Sequence, residues 1–166
     1  MSVHDTVARF GKVAADQVLA LWHRWQAGDL TEAEFRALAR AALVRAGARS
    51  AALADLALAT ALRSAPVGLV PATGDPEEAV TETLTSVSYE RDPEAAVAVL
   101  GSAFALEAYQ STYGAGMASR GVRYWRRVPN PGACEVCIDL SEGIVSTDVP
   151  MWHHKGCGCV ARPITI

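Results

Sequence analysis

The sequence predicts an α+β protein: a mainly α-helical body of about five helices carrying a small, β-rich, zinc-stapled module at its C-terminal end. Three observations carry that expectation. Over residues 1–119, apolar side chains recur at steps of three and four, the period of an amphipathic helix. At Arg120-Gly121 the period changes, and Val122-Arg-Tyr-Trp-Arg-Arg-Val128 is crowded with β-branched and aromatic residues. All four cysteines fall within residues 134–159. The expected division is 1–119 as the helical body, with a loop or linker near 65–75, and 120–166 as the module.

The first helix is expected over 3–27. Val3, Val7, Phe10, Ala14, Val18, Leu21 and Trp25 share one face, Trp22 widens it, and Gly28-Asp29 ends it. Both tryptophans read as core packing, and His4 and His23 as solvated residues. Thr31-Glu-Ala-Glu34 is a capping-box pattern in which the Thr hydroxyl and the Glu carboxylate satisfy each other's backbone amides. The helix it starts is expected to stop near Gly47, a natural C-cap residue. A third, alanine-rich helix then covers about 50–64. Arg36, Arg40, Arg45 and Arg49 read as a solvated face in preference to an anion-binding stripe.

Two prolines and two glycines within residues 65–75 mark a loop. Asp75-Pro76-Glu77-Glu78 and Asp92-Pro93-Glu94 are paired helix starts. Each has Asp at the N-cap, Pro at the first helical position and acids where the helix dipole favours them. They open helices over about 76–88 and 93–118, the second weakened near its end by Gly114 and Gly116. Beyond, 122–128 reads as a strand, Pro129-Asn-Pro-Gly132 as a turn, and Ile144-Val145 and Val160–Ile166 as two further short strands.

Composition narrows the function classes. Half the residues are apolar and a fifth charged, ordinary for a globular chain of 166 residues. Residues 1–119 hold nine Lys/Arg against fourteen Asp/Glu, and residues 120–166 six against four. The tail is mildly basic, short of a strong nucleic-acid footprint. No secretory signal pattern follows Met1, and no apolar run is long enough to span a bilayer. A reducing compartment is therefore expected, where clustered cysteines serve better as metal ligands than as disulfides.

The chemistry-bearing stretch is Cys134-Glu-Val-Cys137, sixteen residues, then His154-Lys-Gly-Cys157-Gly-Cys159. Zinc takes four tetrahedral ligands from thiolate and imidazole, and two short pairs on separate segments supply them. Five candidates compete for four positions: Cys134, Cys137, His154 and one of Cys157 or Cys159, with His153 weaker by its spacing. A structural Zn²⁺ is the leading reading, because residues 120–166 have too few apolar residues to build a core unaided. A zinc deaminase would need a His-x-Glu upstream of its Cys pair, and none precedes Cys134. A thioredoxin-like site would need a βαβ context. A metal hydrolase using Glu135, Asp139 or Glu142 ranks lower, since acids beside a metal knuckle are usually surface residues. Arg123, Trp125, Arg126 and Arg127 suggest a nucleic-acid-binding strand. In the expected strand Arg123 and Trp125 share one face, and Tyr124 and Arg126 the other. A half-buried strand with a basic solvent face is the favoured reading of the same residues.

The order of these features resembles a known family. A helical body leads to Arg127-Val128, then Cys134-x-x-Cys137 with Leu140, a Gly143-Ile144-Val145 hairpin, His154-x-x-Cys157-x-Cys159, and a final strand with Arg162-Pro163. Over residues 90–166 this is similar to the C-terminal region of MuF-like minor head proteins of tailed bacteriophages, particularly the actinobacteriophage versions. Lys155 stands where the family commonly has proline after the His, and the ligand spacing is unaffected. The resemblance implies a virion component on the inner side of the capsid or at the portal vertex, synthesised in the host cytoplasm, and the absence of a catalytic constellation in the sequence leads to the expectation that it is not an enzyme. Its implied partners are the portal protein, the major capsid protein and packaged DNA. Its implied role is in head assembly, DNA packaging or DNA exit. A zinc-stabilised nucleic-acid-binding module is the alternative.

Overall fold

The computed structural model describes residues 3–71, 74–87, 91–151 and 158–164, without the side chain of His4. Four long helices form the body: α1 (Val3–Gln26), α2 (Glu32–Leu62), α3 (Pro76–Val87) and α4 (Pro93–Ser119). A short helix α5 (Glu135–Asp139) and the strands β1 (Tyr124–Val128), β2 (Val145–Ser146) and β3 (Val160–Ile164) complete the α+β fold.

On α1 the most deeply buried side chains are Val7, Ala14, Val18 and Trp22. The face is centred one residue from the expected one, on Trp22, and Trp25 lies at its margin. Trp25 stacks on Phe35 at 5.1 Å, and Trp22 meets Trp25 edge-on at 5.1 Å. Both tryptophans are thus core residues. Gly28 ends α1 at a φ of 82°, a left-handed conformation that glycine adopts without a Cβ clash, while the Asp29 amide donates back to the Arg24 carbonyl. His23 is half-exposed and lies 3.1 Å from Glu94 at the start of α4.

The Thr31 capping box forms as the sequence dictates. The Glu34 amide donates to Thr31 Oγ1 (3.2 Å) and the Thr31 amide to Glu34 Oε2 (2.8 Å). The Thr31 amide and hydroxyl together hold the Glu34 carboxyl below its ordinary range. The expected stop at Gly47 does not occur: the two helices expected over 31–47 and 50–64 are one helix of 31 residues. Gly47 is a packing residue, since a Cβ there would stand 3.3 Å from the Phe104 ring of α4. The helix ends instead at Arg63, which takes the left-handed conformation at φ 51°.

Asp75 and Asp92 both receive first-turn amides, from Glu77 (2.9 Å) and Ala95 (3.0 Å). Gly114 and Gly116 do not break α4, which runs on to Ser119. Gly116 is where Leu58 and Leu69 close in, so near that a Cβ would fall 2.7 Å from Leu58 Cδ2. Helix α4 is the spine of the molecule: it touches α1, α2, α3 and β3.

The three strands form an antiparallel sheet in the order β2-β1-β3, with Trp125 opposite Val145 on one side and Pro163 on the other. Pro163 lies on an edge strand, where a missing ladder donor is tolerated. The strands begin and end a residue or two from the expected limits, and residues 165–166 lie outside the described residues. Trp125 and Arg127 point inward, whereas Arg123, Tyr124 and Arg126 are exposed. The expected pairing of Arg123 with Trp125 on one face fails because Arg123 precedes the strand. The inward face shares one core with the helices, in which Val122 and Trp125 pack with Val7, Leu58, Tyr109, Tyr113 and Met117.

Candidate metal centre

The cysteine stretch is built on an element the periodicity did not show. The first pair sits on α5, with Cys134 as N-cap and Cys137 in the first turn. The two cysteines are thus about one helical turn apart along the chain. Cys134 is exposed and Cys137 is buried. Helix α5 follows β1 after the turn at 129–132.

Cys159, at the entrance to β3, is fully buried and packs against Cys137 with Ala133 and Met151 around them. Two sulfurs twenty-two positions apart in the chain therefore meet in the interior. Each is held by a polar neighbour. Arg127 Nη1 lies 3.6 Å from Cys137 Sγ, and Cys159 Sγ lies 3.4 Å from Asn130 Oδ1. From α4, Gln110 Nε2 donates to the Cys159 carbonyl at 2.9 Å, fixing the backbone of the second cysteine to the helical body. Gly158 permits the approach of Asn130, whose amide would stand 3.3 Å from a Cβ at that position.

His154 and Cys157, together with His153, lie outside the described residues. Among the described residues no three His, Cys, Asp or Glu side chains stand close enough together to hold a metal ion. Of the expected ligands, the described residues bring together two, the buried Cys137 and Cys159, which arrive from separate segments; Cys134 does not complete a group of three with them. Cys137 and Cys159 are the thiolate donors this arrangement offers. Of Cys157 and Cys159, Cys159 is the one among the described residues, and it packs against Cys137.

The remaining candidates are dispersed. Glu135, Asp139 and Glu142 are exposed on and after α5. Trp125 is buried with its indole N–H donating to the Ser146 carbonyl (3.2 Å), and Arg127 is only 3% exposed. Neither is available to a nucleic acid, which leaves Arg123 and Arg126 of the four residues suggested for that role. Arg126 stands directly opposite Arg162 across β1 and β3, and both are exposed.

A second polar centre, Asp55 on α2, had no counterpart in the sequence reading. It is 4% exposed and accepts the amides of Val67 (2.9 Å) and Gly68 (2.7 Å) through Oδ2, with Leu69 at 3.4 Å. Its other oxygen accepts from Arg120 Nη2 at 2.9 Å. Burial pushes this carboxyl up, but the three amides and the guanidinium outweigh it and hold it below the ordinary aspartate range. The available signal was a lone acid beside Ala54 and one turn before Leu58 in an alanine-rich helix.

No helix of the described residues is long and apolar enough to cross a membrane. No protein-family model, curated protein or solved structure matches the chain.

Proposed function

We propose that this chain is a non-enzymatic structural protein of a phage head, of the MuF-like minor head type, whose C-terminal module is closed by a structural zinc ion. The observation that carries the reading is the meeting of Cys137 and Cys159, which brings together the two halves of the Cys-x-x-Cys…His-x-x-Cys-x-Cys spacing. The metal acts here as a staple, stabilising the folded chain by its binding energy. The helices supply the surface for the portal or major capsid protein. Localisation is the virion interior or portal vertex.

Two measurements test this. Purified full-length protein is expected to hold about one zinc per chain by plasma mass spectrometry, and chelation is expected to lower its thermal unfolding temperature. Absence of zinc together with indifference to chelator rejects the staple. Co-purification with the portal protein, and recovery from intact virions, is expected; a chain missing from the virion rejects the head-protein role.

A nucleic-acid-binding module is the second reading, favoured by the Arg126–Arg162 pair. Like charges directly opposite on a sheet destabilise it unless an anion lies between them. DNA binding that falls steeply with salt, and is lost when Arg123, Arg126 and Arg162 are all replaced by alanine, would establish it. Binding unaffected by that triple change removes it.

A further inference from the structure

We propose that the cavity between α4 and residues 147–151 is a binding site for a cationic hydrogen-bond donor, an alkylammonium or guanidinium group, received by the side-chain carbonyl of Gln110 and the carboxylate of Glu107. The inference requires neither the zinc ion nor the head-protein role, so it stands or falls separately from both.

The first observation is an orphaned oxygen. Gln110 is 7% exposed, and its Nε2 donates to the Cys159 carbonyl at 2.9 Å. A backbone carbonyl only accepts, so the side-chain amide cannot be turned round, and Oε1 is the end left over. That oxygen is buried and has no hydrogen-bond partner. Such an acceptor is an exception among buried polar groups and calls for a donor. Gln110 lines a cavity of about 330 Å³, at the small end of the range for ligand sites. One side of the cavity is a face of α4, where Glu107, Ser111, Gly114 and Ala118 recur at steps of three and four. At Gly114 no atom stands within 4 Å of where a Cβ would be, so the missing side chain is part of the space.

The walls decide the chemistry, because their donors are already committed. Thr147 Oγ1 donates to the Val122 carbonyl at 2.6 Å, and the Trp125 indole N–H to the Ser146 carbonyl at 3.2 Å. The amides of Thr147 and Val149 donate to the Arg123 and Ser146 carbonyls, each at 3.0 Å, and Pro150 has no N–H. What the described lining side chains still offer is acceptors: Gln110 Oε1, the Thr147 oxygen and the Glu107 carboxylate, with Ser111 able to act either way. Glu107 is the one ionisable group among the described lining residues. It stands three residues from Gln110 on α4, so the two are neighbours on the helix surface. An anion is repelled from such a site, whereas a cation carrying N–H groups pairs with the carboxylate and supplies the donor that Oε1 lacks. Met117, Trp125 and Met151 add apolar, polarisable walls that suit both the charge and the alkyl stem. The same chemistry is carried by a free amine or guanidine and by a Lys or Arg side chain of a partner protein.

The test titrates the nitrogen-15-labelled full chain, at constant ionic strength, with ethylguanidinium and n-butylammonium. Neutral propionamide and anionic propionate are the controls, and the blocked tripeptide acetyl-Gly-Arg-Gly-amide carries the cation on a peptide. The NMR signals of the Gln110 side-chain amide and the Trp125 indole N–H report binding. Both cations are expected to shift both signals saturably, propionamide to bind more weakly and propionate not to bind. E107Q is expected to weaken the cations by up to about fivefold, as loss of an exposed ion pair does, and to leave propionamide unchanged. Q110M, which removes the acceptor, is expected to weaken them about tenfold or more. G114L fills the space and is expected to abolish binding. Circular dichroism identifies which variants keep the native helix content, and if Q110M does not fold, E107Q and G114L decide. A tripeptide tighter than ethylguanidinium assigns the group to a partner's side chain, and the reverse order assigns it to a free ligand; both support the site. Absence of saturable shifts, either control binding as tightly as the cations, or a G114L that binds like the native chain overturns the proposal, and Gln110 Oε1 is then met by water alone.

Discussion

Asp55 joins three parts of the chain through one carboxylate: α2 carries it, residues 67–69 cap it with their amides, and Arg120 at the end of α4 completes it. Asp55→Asn keeps the shape and removes the charge that Arg120 faces. It is expected to lower the unfolding temperature more than Asp75→Asn, whose carboxylate serves only an exposed helix start. The pH dependence follows from the depressed folded-state pKa. The contribution of Asp55 is full above the ordinary aspartate value of about 4 and is lost as pH falls from there through its lower folded value. Thermal scans between pH 6 and 2 are expected to show an acid-side loss that is smaller in Asp55→Asn. A loss of the same size in both proteins would show that other carboxylates carry it. At this scale legibility followed locality. The Thr31–Glu34 box could be read because both partners lie within four residues, whereas the partners of Asp55 lie 12 to 65 positions away.

At the scale of elements, glycine divides into two physical classes that look alike in the sequence. Gly101 of α4 sits against the α1 backbone, where a Cβ would stand 2.6 Å from the Ala14 carbonyl carbon. Gly114, on the same helix, faces open space. Gly101→Ala forces α1 and α4 apart and is expected to cost about 1–3 kcal/mol or more, as overpacking does. Gly114→Ala is expected to gain up to about 1 kcal/mol, from helix propensity and a less flexible unfolded chain. Chemical denaturation of the two variants checks the pair, and equal effects would refute the distinction. The reading of Gly47 as a helix end failed for the same reason. Helix propensity is weak, about 1 kcal/mol for a glycine, and the packing of Phe104 against α2 overrides it. Helix α5 was missed because five residues are too few to show a period.

For the whole molecule, the sheet and the helices are one packing unit around Tyr109, Tyr113, Met117 and Trp125. Tyr109 and Tyr113 stack at 5.7 Å on α4. Burial drives both phenols up, Tyr113 to about 12 and Tyr109 further, so both resist ionisation while folded. Their folded values exceed the unfolded value of about 10. The stability tied to them is therefore full below about pH 10 and is lost as pH rises from there through about 12. Following phenolate absorbance with helix circular dichroism is expected to show the late-titrating tyrosines ionising together with unfolding. Their ionisation with helix content intact would refute the coupling. Chelation adds a second handle. If the proposed zinc staple holds, chelation is expected to loosen the β3 side of the sheet, which Cys159 enters.

The sequence by itself determined the helical period of α1, the capped starts of α2, α3 and α4, and the change to strand at β1. Each of these is written in residues near one another, where backbone geometry converts spacing directly into direction. Only the tertiary structure decided that Gly47 and Gly116 serve close packing, that Asp55 secures a loop, and that Trp125 and Arg127 turn inward. It also brought Cys137 against Cys159 beneath Gln110 and Arg127. These depend on which faces meet across long loops, and burial, which no local pattern encodes, then sets what each side chain does.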